Sequence, residues 1–185
     1  MRLPFPRRET DLTLRSRAVP SPPPSPLHRF NTLGAPAAER LLLDCCGSRR
    51  WAQRLARHRP YPDAEVLLAA ADEASYDLSA ADIAEALATE APYLPPTDGP
   101  GALAAHTALR AGHAAYAERF GHGFVVCLAE YGPEERTDQA LAAIRARLAH
   151  DPDEERALAA EELRRLARER LARLVPASRS DVART

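Results

Sequence analysis

The side chains in this sequence that could do chemistry are six histidines, three cysteines and a dense set of arginines towards its end. His106 and His113 stand seven residues apart, so a helix would present both on one face, and His122 follows a glycine further downstream. An imidazole near its ordinary pKa suits proton transfer at neutral pH. A place at the surface or on the rim of a core is the competing reading for each of the three. Cys45, Cys46 and Cys127 are odd in number, and the first two are neighbours in an apolar stretch, which argues against a disulfide framework. Neither the cysteines nor the histidines show zinc-ligand spacing, so the thiols read as buried and inert and no metal is expected. No Ser-His-Asp order and no glycine-rich phosphate loop stands out.

The closing segment carries Arg156, Arg164, Arg165, Arg168, Arg170 and Arg173, with Glu154, Glu155, Glu161, Glu162 and Glu169 interleaved among them. That is the pattern of intrahelical pairing on a solvated helix, and it outweighs a nucleic-acid face. The totals agree. Basic residues number 25 and acidic residues 26, for a formal net charge of -1, which demands neither a polyanion nor a membrane surface. Every basic residue is Arg and none is Lys, which together with the alanine excess reads as coding bias rather than a phosphate-binding device. No apolar run follows Arg7 and Arg8 and no segment has the length to span a bilayer, so a cytoplasmic protein without a membrane partner is expected.

These side chains must be positioned by helices. A chain of 185 residues suits one core. Residues 1–28 contain the run Pro20-Ser21-Pro22-Pro23-Pro24-Ser25-Pro26 and predict a disordered Pro- and Arg-rich tail. A helical domain is expected over 29–175, followed by a disordered tail over 176–185. Within the domain the spacing predicts a helix from Pro36 to Cys46 stopped by Gly47, a second from Ser48 to Ala56 with Trp51 and Leu55 on one side, and a third from Asp63 to Ala74. Ser79 with Asp82 three residues later marks the start of a fourth. Pro92, Pro95, Pro96, Gly99, Pro100 and Gly101 then force a loop. Helices follow over Ala102–Phe120, stopped by Gly121, over Pro133–His150, and over Pro152–Leu174, where Asp151 is the cap. Phe124-Val125-Val126-Cys127-Leu128 is strand-like in composition, but no second strand is available to satisfy its backbone, so it reads as a buried connector. The fold class is all-α, a single helical bundle of about seven helices.

Phe30-Asn31, Trp51 with Arg59-Pro60-Tyr61, the stretch Ala114-Ala115-Tyr116-Ala117-Glu118-Arg119-Phe120-Gly121-His122-Gly123-Phe124-Val125-Val126 and the arginine-rich closing helix occur in that order. Over about residues 28 to 175 the chain thereby resembles the OHCU decarboxylase family. The resemblance implies a helical domain that decarboxylates 2-oxo-4-hydroxy-4-carboxy-5-ureidoimidazoline to S-allantoin in urate breakdown, with no metal and no organic cofactor. It implies a small ureide or purine-derived substrate and is compatible with a homodimer. It also implies that His122, Gly123, Phe124, Val125 and Val126 line the substrate and that Arg170 contacts it. Simple core packing of the apolar three and solvation of Arg170 are the competing readings.

The sequence departs from the family pattern in two places. The family's catalytic His opens a His-Pro pair after the fourth helix, whereas here Glu90 holds that position and Ala91 and Pro92 follow. The family's Ser-x-x-Glu-Gln motif has no counterpart between Pro95 and Ala105. Loss of carbon dioxide leaves carbanion character, and a positioned acid that protonates it contributes about 10²- to 10⁴-fold. A carboxyl with a reference pKa of about 4.3 is ionised at neutral pH and repels the substrate's own carboxylate. Glu90 is thus a poor substitute as catalytic acid, and an exposed helix-end residue is its plain reading. His106, His113 or His122 could supply the imidazole instead. Two functions remain: a decarboxylase with a relocated acid, and a catalytically retired relative that acts as a ligand-binding or protein-interaction module.

Overall fold

The computed structural model of the protein describes residues 23–98 and 100–176. The expected tails lie for the most part outside the described residues. Among the described residues there are eight helices and no strand: α1 (Pro26–Thr32), α2 (Ala35–Leu43), α3 (Arg49–Arg57), α4 (Ala64–Tyr76), α5 (Ala80–Thr89), α6 (Ala102–Phe120), α7 (Arg136–Arg147) and α8 (Pro152–Leu174). Seven were expected, and α1 is the addition. Its start at Pro26, capped by the Ser25 side chain accepting from His28 N–H, lies inside the proline run. Proline at the first turn of a helix forfeits no hydrogen bond.

Local chemistry sets most of the boundaries. Ser48, Asp63 and Asp151 each cap the following helix through a side-chain oxygen, and Ser79 with Asp82 forms a reciprocal capping box at α5. Gly121 closes α6 with φ of 74°, a left-handed conformation that costs glycine little. Gly47 behaves otherwise. α2 ends at Leu43, and Gly47 is absent from the positive-φ residues. A Cβ there would lie 1.9 Å from Thr89 Oγ1, so Gly47 is needed for the close approach of the end of α5, not as a helix stop. α7 likewise begins at Arg136 rather than Pro133, because Glu135 N–H and Arg136 N–H both turn back on Gly132 O.

The helices enclose two apolar clusters. In the first, α2 packs on α3, α3 on α4, and α4 and α5 on α8, burying Leu42, Trp51, Leu67, Leu163 and Leu171 among others. In the second, α6 packs on α7 around Leu109, Tyr116 and Ile144. The segment Phe124–Leu128 joins them as the buried connector that was expected. Val125 belongs to the first cluster, and Phe124 and Leu128 to the second. Asn31 and Tyr61, from the first stretches that carry the family resemblance, clasp each other: Asn31 Nδ2 donates to Tyr61 O at 2.8 Å and Tyr61 N–H donates to Asn31 Oδ1 at 3.0 Å.

Leu67→Ala, at a fully buried site of the first cluster, is expected to lower the free energy of unfolding by about 2–5 kcal/mol, measured by urea denaturation. All three thiols are free and buried, and burial above all pushes Cys45 up to about 11. A colorimetric thiol reagent at neutral pH is therefore expected to titrate Cys45 and Cys46 only after denaturant is added. Rapid reaction of either in the folded protein would contradict the burial.

Candidate functional site

The end of α5, the connector, the first residue of α7 and one face of α8 surround a cleft of about 280 Å³. Thr89 packs against Gly47 and its hydroxyl donates to Ala86 O at 2.8 Å, which brings α5 to an abrupt close. Glu90 is the C-cap that follows. Its side chain is only 6% exposed and is bridged by Arg170 of α8, with Nη1 to Oε1 at 2.8 Å and Nη2 to Oε2 at 2.7 Å. Arg170 Nη1 also donates to Cys45 O at 3.1 Å. Hydrogen bonding to Glu90 is the largest influence on Arg170 and holds its pKa above the ordinary arginine range, against the effect of burial. The plain reading of Glu90 as an exposed helix end is thereby corrected. Both of its oxygens serve as acceptors for one guanidinium fork.

The sequence-predicted residues divide at this point. Glu90, Phe124, Val125, Val126 and Arg170 all line the cleft. His122 and Gly123 are not among its lining residues. His122 lies edge-on against Tyr116 with its Nδ1 at 3.0 Å from Gly123 O. The other two histidines face the proline-rich loop, where His106 Nδ1 lies 3.0 Å from Pro95 O and His113 Nε2 lies 3.1 Å from Tyr93 O. They fasten that loop to α6, and neither lines the cleft. Among the described residues, no group of three His, Cys, Asp or Glu side chains is placed to hold a metal ion.

Sequence reasoning missed Tyr93 and Arg136, which also line the cleft, and the buried ion pair that anchors the connector. A connector with no ladder must find partners for its backbone elsewhere. Arg147 Nη1 donates to Val125 O at 2.7 Å, and Cys127 N–H donates to Glu162 Oε2 at 2.5 Å. Arg147 is held in turn by fully buried Glu155, at 2.8 Å from Nε to Oε1. The same carboxylate accepts from Tyr116 Oη and lies 2.9 Å from His150 Nδ1. Burial tends to raise the Glu155 pKa, but the hydrogen bonds from Arg147 and Tyr116 and the charge of Arg147 outweigh it, and the net shift is downward. A signal for this pair was present in the sequence. Glu155 and Glu162 fall in helical register with buried Ala159, Leu163 and Leu171, and Arg147 with Ala140 and Ile144. A charge in core register is a charge with a buried partner.

Arg147→Met leaves Glu155 buried without its cation and is expected to cost about 3–5 kcal/mol of stability in urea unfolding. The depressed pKa of Glu155 sets the sign of the pH effect. Its contribution is complete above the unfolded-state value of about 4.3 and is lost as pH falls from there through the lower folded value. Glu155→Gln is therefore expected to flatten the acid limb of the stability profile relative to the parent, and an unchanged limb would contradict the depressed pKa.

No curated protein matches the chain by sequence. A crystal structure of OHCU decarboxylase in the presence of (S)-allantoin is similar in fold, with a TM-score of 0.62 at 20% identity over 72% of this chain and 95% of that one. A crystal structure of (S)-allantoin synthase has a TM-score of 0.63 at 18% identity over 82% of this chain, which spans 54% of that protein's length. The family model of OHCU decarboxylase matches residues 31–92 and 100–172, which takes in Glu90, the connector and Arg170 together, and the chain belongs to the OHCU decarboxylase family.

Proposed function

We propose that the cleft binds the anionic ureidoimidazoline and promotes its decarboxylation towards allantoin, with the arginines of the cleft stabilising the developing charge and water delivering the proton. The observation that carries this reading is the convergence of Glu90, the connector and Arg170, distant in sequence, on one cleft with a cationic balance. Arg136, Arg170 and Arg173 against Glu90 and Glu169 leave one net positive charge. Guanidinium groups aimed at a carboxylate and a ureide suit planar, bidentate recognition. They also stabilise the negative charge that spreads over the ring as carbon dioxide leaves. Water takes the role of acid because the residue at the family's His position is engaged on both oxygens by Arg170. The contribution of a positioned acid, about 10²- to 10⁴-fold, is then missing.

One observation favours a second reading. The Glu90–Arg170 bridge removes the acid and also occupies the arginine that the family resemblance assigns to substrate, which suits a retired member that binds a ureide without turning it over. The measurement that separates the two is to generate the ureidoimidazoline in place from urate with the upstream activities, add the protein, and follow S-allantoin by circular dichroism. An excess of the S enantiomer above the racemic background establishes decarboxylation. Its absence, with S-allantoin still bound by the folded protein, establishes the retired reading. Under the first reading, Glu90→His is expected to raise the rate by about tenfold or more, within the range a positioned acid supplies.

A further inference from the structure

Three arginines line the cleft, and they are not equally available. Arg170 is bridged by Glu90 on both terminal nitrogens and also donates to Cys45 O. Arg173 is paired with Glu169, one turn earlier on the same helix. Arg136 differs. It is half-buried as the first residue of α7, and its Nε donates to Tyr131 O at 3.1 Å. Among the described residues no carboxylate lies within ion-pair distance of it, and its two terminal nitrogens have no hydrogen-bond partner there. The bond to Tyr131 fixes the plane of the guanidinium and leaves its outer edge for a ligand, the geometry a carboxylate takes in a bidentate pair. Nearby in the same lining, Tyr93 Oη lies 3.3 Å from Thr137 Oγ1, next to Arg136 in sequence.

From this we infer that Arg136, rather than Arg170, is the receptor for the ligand's carboxylate and sets the preference of the cleft for a carboxylated ureide over an uncharged one. The physical reason is competition. A carboxylate reaching Arg170 must displace Glu90, which already makes two charge-assisted bonds and is shielded from water, whereas one reaching Arg136 displaces only solvent. The connector adds to the site. Val126 sits between the two residues whose backbone is anchored inward, lines the cleft, and has no hydrogen-bond partner for its own amide N–H among the described residues. The inference rests on the proposal that the cleft binds ureides.

The test uses two probes on the full chain by calorimetry: S-allantoin, an uncharged ureide, and allantoate, a ureide that bears a carboxylate. Arg136→Gln is expected to weaken allantoate binding about tenfold or more, the cost of losing a charged hydrogen-bonding partner, while S-allantoin binding stays within about twofold. Arg136→Lys keeps the charge but loses the fork and is expected to fall between. An unchanged circular dichroism spectrum and melting temperature confirm that both variants fold. If both probes bind and Arg136→Gln leaves their ratio unchanged, the assignment to Arg136 is overturned and the ureide cleft stands. If the parent chain binds neither probe, the cleft reading falls and this inference falls with it.

Discussion

The structure depends on how a stretch of backbone with no ladder is kept inside the protein. Phe124–Leu128 runs between two apolar clusters and contributes side chains to both. An unpaired peptide group in such a place costs free energy comparable to a lost hydrogen bond. Two charged side chains answer that demand. Arg147 of α7 takes the Val125 carbonyl and Glu162 of α8 takes the Cys127 amide, so the connector is tied to a helix of each cluster. Each tie brings a buried charge that must itself be neutralised: Glu155 pairs with Arg147, and the remaining capacity of the Glu155 carboxylate is met by Tyr116 and His150. A hydrophobic substitute could pack as well but could not hold the backbone. The cleft is lined by that backbone, so its shape follows from the buried ion pair that anchors the connector.

The sequence disclosed some parts of this and concealed others for physical reasons. Helix boundaries are set by contacts within three or four residues, and those were legible: the Ser79–Asp82 box, Asp151 before Pro152, and Gly121 after Phe120 all stand where the pattern predicts. Gly47 misled because glycine serves two purposes, and only the position of Thr89, 42 residues away in sequence, reveals that it is there for close approach. The buried connector was legible by elimination, since no partner strand exists among the described residues. Its anchors were harder to see. Glu155 and Glu162 sit in a segment so rich in alternating charge that a solvated face is the natural reading. The spacing that they share with Ala159 and Leu163 was readable, but which face of α8 is buried is decided by its packing on α4 and α5.

The arginines of α8 show the same limit. Intrahelical pairing accounts for Arg156 with Asp153 and for Arg173 with Glu169. It also holds for Arg164 with Glu161 and Arg165 with Glu162, but Arg164 and Arg168 reach Asp72 of α4 as well, and Arg165 reaches Glu130 beyond the connector. These cross-element pairs are partly exposed and contribute little stability individually, but they help fix the face that α8 turns towards α4. Arg170 follows from that choice. The rotation that puts Leu163, Ala167 and Leu171 into the first cluster leaves Arg170 at the cleft rim, beside the end of α5.

The carboxylate at position 90 therefore decides both the charge of the cleft and the state of Arg170. A guanidinium at the position of Arg170, half-buried against α5, presents a positive charge to whatever side chain ends that helix. With a neutral imidazole at position 90 the cleft would hold three arginines and one carboxylate, a balance of +2 with Arg170 open to ligand. With Glu90 the balance is +1 and Arg170 is closed by a bidentate bridge. A carboxylate at this position thus captures a cation that an imidazole would leave open. Coulomb attraction across less than 3 Å in a partly desolvated site makes that capture hard to reverse. The electrostatic centre of the cleft accordingly moves from the α5–α8 side towards α7, and any anion that enters meets Arg136 as the cation not already committed to a carboxylate among the described residues.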